Sequence, residues 1–328
     1  MATVKGFIRS YGAAVRRAER DQQRQARNAA KRYKQQLKQE EISNAGEAVA
    51  NYSEYIELIQ SVHKNCTEKI DWNQIKNTPI PEKPRKEISN EATSQQNLNN
   101  YRPSIFDKLF GSANKKINRL EELLEKAKKK DIQEYELVNK KYLDEIEDWE
   151  FLQKTSKGLE KENPESYKDA LQYFNPFSDI GELGTRIEFS ISEKQVDVDV
   201  HISGEEVIPS FEFKQLASGK LSKKSMTKSK FNEIYQDHIC SSVIRVSREL
   251  FAYLPIKKAR VNAIGQVLNS STGHLEERTI LSVIMVRETI NSLNMETIDP
   301  SDSMQNFVHN MNFVKTKGFS PVEKVELI

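Results

Sequence analysis

The spacing of apolar residues along the chain changes twice. Residues 7–44 are mostly Ala, Arg, Gln, Lys and Glu, with a single Gly at position 12 and no Pro. These are mainly good helix formers, yet apolar positions are too few for a core-facing stripe, so the pattern predicts a solvated helix. From Ala48 the pattern shifts: Tyr52, Tyr55, Ile56, Ile59, Val62 and His63 fall at helical spacing and predict a helix packed on a partner helix. Residues 76–103 combine Pro79, Pro81 and Pro84 with an Asn/Gln/Ser tract and read as a linker. A second helical block follows from Ser104 to about Gly158. Leu109, Ile117, Leu120, Leu124, Ala127, Ile132, Tyr135, Val138, Tyr142, Ile146 and Trp149 recur there mostly at three- and four-residue steps. That periodicity predicts a helical hairpin or coiled coil, with EKAKKKD at residues 125–131 either its corner or an exposed face.

Beyond residue 160 the signals are those of a globular domain. Asn163 stands in N-cap position before Pro164, with Glu165 in the first turn. At residue 186 the period becomes two: RIEFSIS and QVDVDVHI alternate, and VIPSFEFKQL forms a third strand. A basic loop, 217–230, leads to an amphipathic helix over 231–254 stopped by Pro255. Two further strands follow, within 258–268 and 278–290, then a final helix capped by Ser301 or Asp302. The expected fold is α+β, with α/β also open: a mixed sheet with a crossover helix, preceded by a long helical half. The expected divisions are a basic helical arm (1–75), a linker (76–103), a helical hairpin or coiled coil (104–160) and the α+β domain (161–328).

Charge sharpens this picture in one place. Lys and Arg number 50 against 48 Asp and Glu, yet residues 5–34 hold ten Lys or Arg beside only Glu19 and Asp21. Cys66 and Cys240 lie far apart, which suggests neither a disulfide framework nor a paired-cysteine zinc site. A reducing cytoplasm is the expected compartment. No run is long and apolar enough for a transmembrane helix.

The candidate chemistry sits in QVDVDVHISGEEVIPSFEFK, residues 195–214. Alternation turns Val196, Val198 and Val200 to one face and Asp197, Asp199 and His201 to the other, while Glu212 and Lys214 share a face on the next strand. Were the two acidic faces to coincide, two carboxylates would suit Mg²⁺ and the lysine would stabilise charge on a phosphate. The same residues also read as the wet face of a half-exposed strand with an edge ion pair. The order of an Asp strand, Glu-x-Lys on the following strand and a crossover helix resembles the PD-(D/E)XK nuclease superfamily over residues 165–270, although no Pro precedes either Asp. The resemblance implies metal binding by Asp199 and Glu212, with Lys214 completing a catalytic set for phosphodiester hydrolysis.

Beside that stretch, Lys214, Lys220, Lys223, Lys224, Lys228 and Lys230 make a local positive surface. It would suit a phosphate backbone, extended by Arg16, Arg17, Arg24 and Arg27 of the arm. Three functions compete: a metal-dependent nuclease, with a role in prokaryotic antiviral defence as the accompanying guess; a non-catalytic nucleic-acid-binding module; and a coiled-coil scaffold with a basic arm. The last would bind a protein partner, or itself, through helices 104–160.

Overall fold

The computed structural model describes residues 45–105, 112–177, 185–192, 195–202 and 204–326, with 28, 31 and 32 of the preceding segment. The expected basic arm, with Arg16, Arg17, Arg24 and Arg27, lies outside the described residues. The chain divides into two compact units, one built from residues 73–154 and the other from residues 45–72 with 155–328.

The second unit opens with helix α1 (Ala45–Gln60), followed by the 3₁₀ turn Val62–Lys64; the short helix α2 (Trp72–Lys76) falls at the division, with all but Trp72 in the first unit. Tyr55 and Ile59 of α1 are buried in one cluster with Val207, Ile208, Phe213 and Ile234. The Tyr55 hydroxyl donates to the Val207 carbonyl at 2.7 Å. The helical spacing of Tyr55 and Ile59, which predicted packing on a partner, thus serves the α+β domain, where they meet Ile234 and the segment around Val207.

In the first unit, α3 (Ser89–Asn100) lies within the stretch read as a linker. Its first turn has no acceptor of its own; the Asp131 carboxylate supplies one, taking the backbone N–H of Asn90 at 3.3 Å and of Glu91 at 2.8 Å. Asp131 belongs to α4 (Ala113–Glu160), a single helix of 48 residues. EKAKKKD, a corner or an exposed face by its sequence, continues the helix with most of its lysines exposed, because it holds neither Gly nor Pro and every residue but Asp131 is a strong helix former. Further along α4, the Trp149 indole N–H donates to the Thr78 carbonyl and the Gln153 amide to that of Ile75, which ties down the proline-rich segment.

After α5 (Pro164–Phe174), where Asn163 Oδ1 caps the Glu165 N–H at 2.9 Å, comes a mixed six-stranded sheet. Its order is β1 (Thr185–Ile191), β2 (Val196–Ile202), β5 (Lys258–Leu268), β6 (Leu275–Val286), β7 (Val308–Val314) and β8 (Gly318–Ser320). β2 and β5 are parallel and the other neighbours antiparallel. A parallel pair needs a crossover, supplied here by α7 (Lys228–Tyr253), buried along most of its length. Between β2 and α7 the chain makes the helical turn α6 (Gly204–Val207) and a separate two-stranded sheet, β3 (Phe211–Gln215) and β4 (Leu221–Ser225). The helix α8 (Arg287–Ser292) follows β6.

The fold is the expected α+β class with a mixed sheet and a crossover helix. The expected final helix is replaced by a 3₁₀ turn, Asp302–Asn306, and strand β7. The Ser301 and Asp302 amides bond to Asp299 Oδ1, so the capping chemistry is spent on a turn, and VHNMNFV then alternates in exposure along β7.

Candidate functional site

The acids of VDVDV do not face an open site. Asp197 and Asp199 lie opposite Arg260 and Asn262 in the β2–β5 register, and Asn262 lies opposite Ser282 on β6. Arg260 forks onto Asp197, Nε to Oδ1 at 3.0 Å and Nη2 to Oδ2 at 2.5 Å. Asn262, fully buried, donates at 2.8 Å to both Asp197 Oδ1 and Asp199 Oδ1, and its own Oδ1 accepts from the Ser282 hydroxyl at 2.6 Å. The carboxy-terminal segment lies across this row. Ser282 Oγ accepts the Val325 N–H at 2.9 Å, Arg260 Nη1 donates to the Val325 carbonyl at 3.0 Å, and Lys324 Nζ reaches Asp199 Oδ1 at 2.7 Å. Burial acts to raise the Asp197 carboxyl, but the hydrogen bonds from Arg260 and Asn262 and the guanidinium charge outweigh it and hold the group below its usual range.

Glu212 and Lys214 are brought together, 3.4 Å apart, but on β3 of the separate sheet. Asp199 belongs to the main sheet, with Lys324 and Asn262 as its partners. The residues therefore do not fit a bound Mg²⁺: one proposed ligand is engaged by an ammonium and an amide, and its companions sit on another sheet. Among the described residues no cluster of three or more His, Cys, Asp or Glu could hold a metal ion. The buried Asn262 and Ser282 were missed, although a polar residue with apolar neighbours on both sides, as in VNAI or ILSVIMV, is the kind of signal that marks an internal tie.

The β3–β4 hairpin is rooted by Phe213, buried against α1 and edge-on to Tyr52 at 6.0 Å. Its turn uses Gly219 at φ +79, where the N–H closes onto Leu216 O. Lys214, Lys220, Lys223 and Lys224 are all exposed on it, and Lys223 lies 3.9 Å over the Phe211 ring. Lys228 and Lys230 open α7, whose first turn holds no acid. Lys230 finds Glu233 at 3.9 Å; among the described residues, no carboxylate is within ion-pair reach of Lys220, Lys223, Lys224 or Lys228.

A third polar group lies along α7. Arg245 and Glu249 form a wholly buried pair at 2.7 Å, and Glu249 also accepts the Thr67 N–H at 3.0 Å. Arg248 donates to the carbonyls of His63 and Lys64, and Ser241 Oγ accepts the His63 N–H at 3.0 Å. These groups strap residues 61–67 to the helix. Burial pushes the Cys66 thiol up to about 12 and raises that of Cys240 as well, so neither is a nucleophile at neutral pH.

Residues 6–174, just over half of the chain, match the family described as conserved oligomeric Golgi complex subunit 5, C-terminal. The chain belongs to this family. The match covers α1 to α5 and ends before the six-stranded sheet. No curated protein and no solved structure matches the chain. Membership in the Golgi complex subunit 5 family overturns the resemblance to PD-(D/E)XK nucleases, and with it the hydrolase, antiviral and nucleic-acid-binding readings. It also corrects the expected cytoplasmic placement, since the family is named for a Golgi complex. No described helix is long and apolar enough to cross a membrane.

Proposed function

We propose that this chain is a non-catalytic interaction subunit of a multi-protein complex at the Golgi, and that partner subunits dock on its long helix. The observation that carries the reading is the family match, which spans that helix. The helix itself supports it. Near its start Leu124, Ala127 and Asp131 are buried, but farther along Leu137, Val138 and Leu143 are exposed. Tyr135, Tyr142 and Ile146 of the same stretch are half-buried. At 100° per residue Val138 and Leu143 flank the stripe of Tyr135, Tyr142 and Ile146 while Leu137 lies on the opposite side, so burying all of them calls for partner subunits on more than one side of the helix.

Affinity purification of the tagged full chain from its own cells tests this. The wild type is expected to recover other subunits of the Golgi complex in constant proportion. A Leu137→Ser/Val138→Ser/Leu143→Ser variant, whose exposed positions leave folding intact, is expected to lose them. A wild type that recovers none of those subunits would overturn the reading.

A further inference from the structure

We infer that the β3–β4 hairpin is a docking surface for an anionic phospholipid bilayer. Three features of the hairpin and the adjoining start of α7 point the same way. The first is charge: Lys214, Lys220, Lys223, Lys224, Lys228 and Lys230 fall within seventeen residues that contain no Asp or Glu. Lys214 is paired with Glu212 and Lys230 with Glu233, which leaves Lys220, Lys223, Lys224 and Lys228 with no carboxylate in ion-pair reach among the described residues, and that excess attracts an anionic partner.

The second is the apolar tip. Leu216, at the turn, is 50% exposed with Lys214 and Lys220 on either side. An exposed aliphatic residue collared by lysines matches a headgroup interface, where the side chain enters the acyl boundary and the long lysine stems reach back to phosphates. The third is rigidity: Phe213 is buried against α1, so the tip projects from a fixed root.

The same geometry disfavours a nucleic acid. Single-stranded chains are held by aromatic faces on which bases stack, yet here Phe213 is buried and the Phe211 ring is covered by Lys223. The element offers charge and an aliphatic tip, with no open stacking platform.

The test is flotation of the full chain with vesicles of phosphatidylcholine, alone or with about 30% phosphatidylserine. Binding is expected only to the phosphatidylserine vesicles and is expected to weaken as salt is raised. The Lys220→Gln/Lys223→Gln/Lys224→Gln variant is expected to bind at least about tenfold more weakly, given the contribution of each basic residue at an anionic surface. Leu216→Ser is expected to weaken binding while leaving its salt dependence in place. Several results would overturn the inference: equal binding to neutral vesicles, full binding by the triple-lysine variant with loss only in an Arg16→Gln/Arg17→Gln/Arg24→Gln/Arg27→Gln variant, or binding of single-stranded RNA through these lysines with no affinity for vesicles.

Discussion

Lys324 donates to both carboxylate oxygens of Asp199, at 2.7 and 2.9 Å, and so closes the carboxy-terminal segment over the polar row of the sheet. Both side chains are about one-third exposed, so the pair is worth little in overall stability. Lys324→Ala is expected to cost about 0.5–1 kcal/mol. The sharper effect is local: amide exchange at Val325, whose N–H is held by Ser282, is expected to accelerate well beyond the change in global stability. Unchanged exchange there would show that the segment is held without Lys324.

Asp197 carries more, because its loss leaves the Arg260 guanidinium without its fork partner in a half-buried position. Asp197→Asn is expected to cost about 2 kcal/mol at neutral pH. The folded-state carboxyl is held below its ordinary range, so its contribution is present above the unfolded value and is lost as pH falls through the folded one. Urea denaturation of wild type and variant should therefore give a constant gap down to about pH 4 and a narrowing one below it. A gap that widens on acidification would reverse the sign argued here.

The Arg245–Glu249 pair is buried to 2% and 0% exposure. Glu249→Ala leaves a guanidinium in the interior and is expected to cost about 3 kcal/mol, whereas Arg245→Met with Glu249→Leu should cost less than that single change. A double variant at least as unstable as the single one would show that the charges are themselves stabilising.

Phe213→Ala should cost about 3 kcal/mol, since it opens a cavity between the hairpin and α1. Tyr55→Phe, which removes the donor to Val207 O, should cost about 1 kcal/mol. Thermal melts of both variants check whether Ala45–Gln60 folds with the α+β domain. If neither substitution lowers the melting temperature, the helix is not part of that core.

Much of the fold was legible because its signals are local. The alternation of VDVDV put the valines inside and the acids on the other face, and Asn163-Pro164 marked a helix start. What was not legible depends on distance along the chain. Nothing in VDVDV announces Arg260 or Lys324, 63 and 125 residues away, so a tied polar row resembled an open catalytic face. The spacing from Asp199 to Glu212 likewise carries no information on which sheet the second strand joins. The turn Gly204–Val207 leads into a separate hairpin, and β2 pairs with β5 instead. VHNMNFV was read with its capping residues as a helix, although its own alternation is that of a strand.

Cross-linking mass spectrometry of the tagged full chain in its own cells tests the central claim most directly. Lys126, Lys129, Lys140 and Lys141 are placed along α4 and report on whatever lies against it. The account predicts cross-links from these lysines to other subunits of the Golgi complex, reduced in the Leu137→Ser/Val138→Ser/Leu143→Ser variant. Cross-links from α4 confined to this chain, in cells where the complex is assembled, would contradict it.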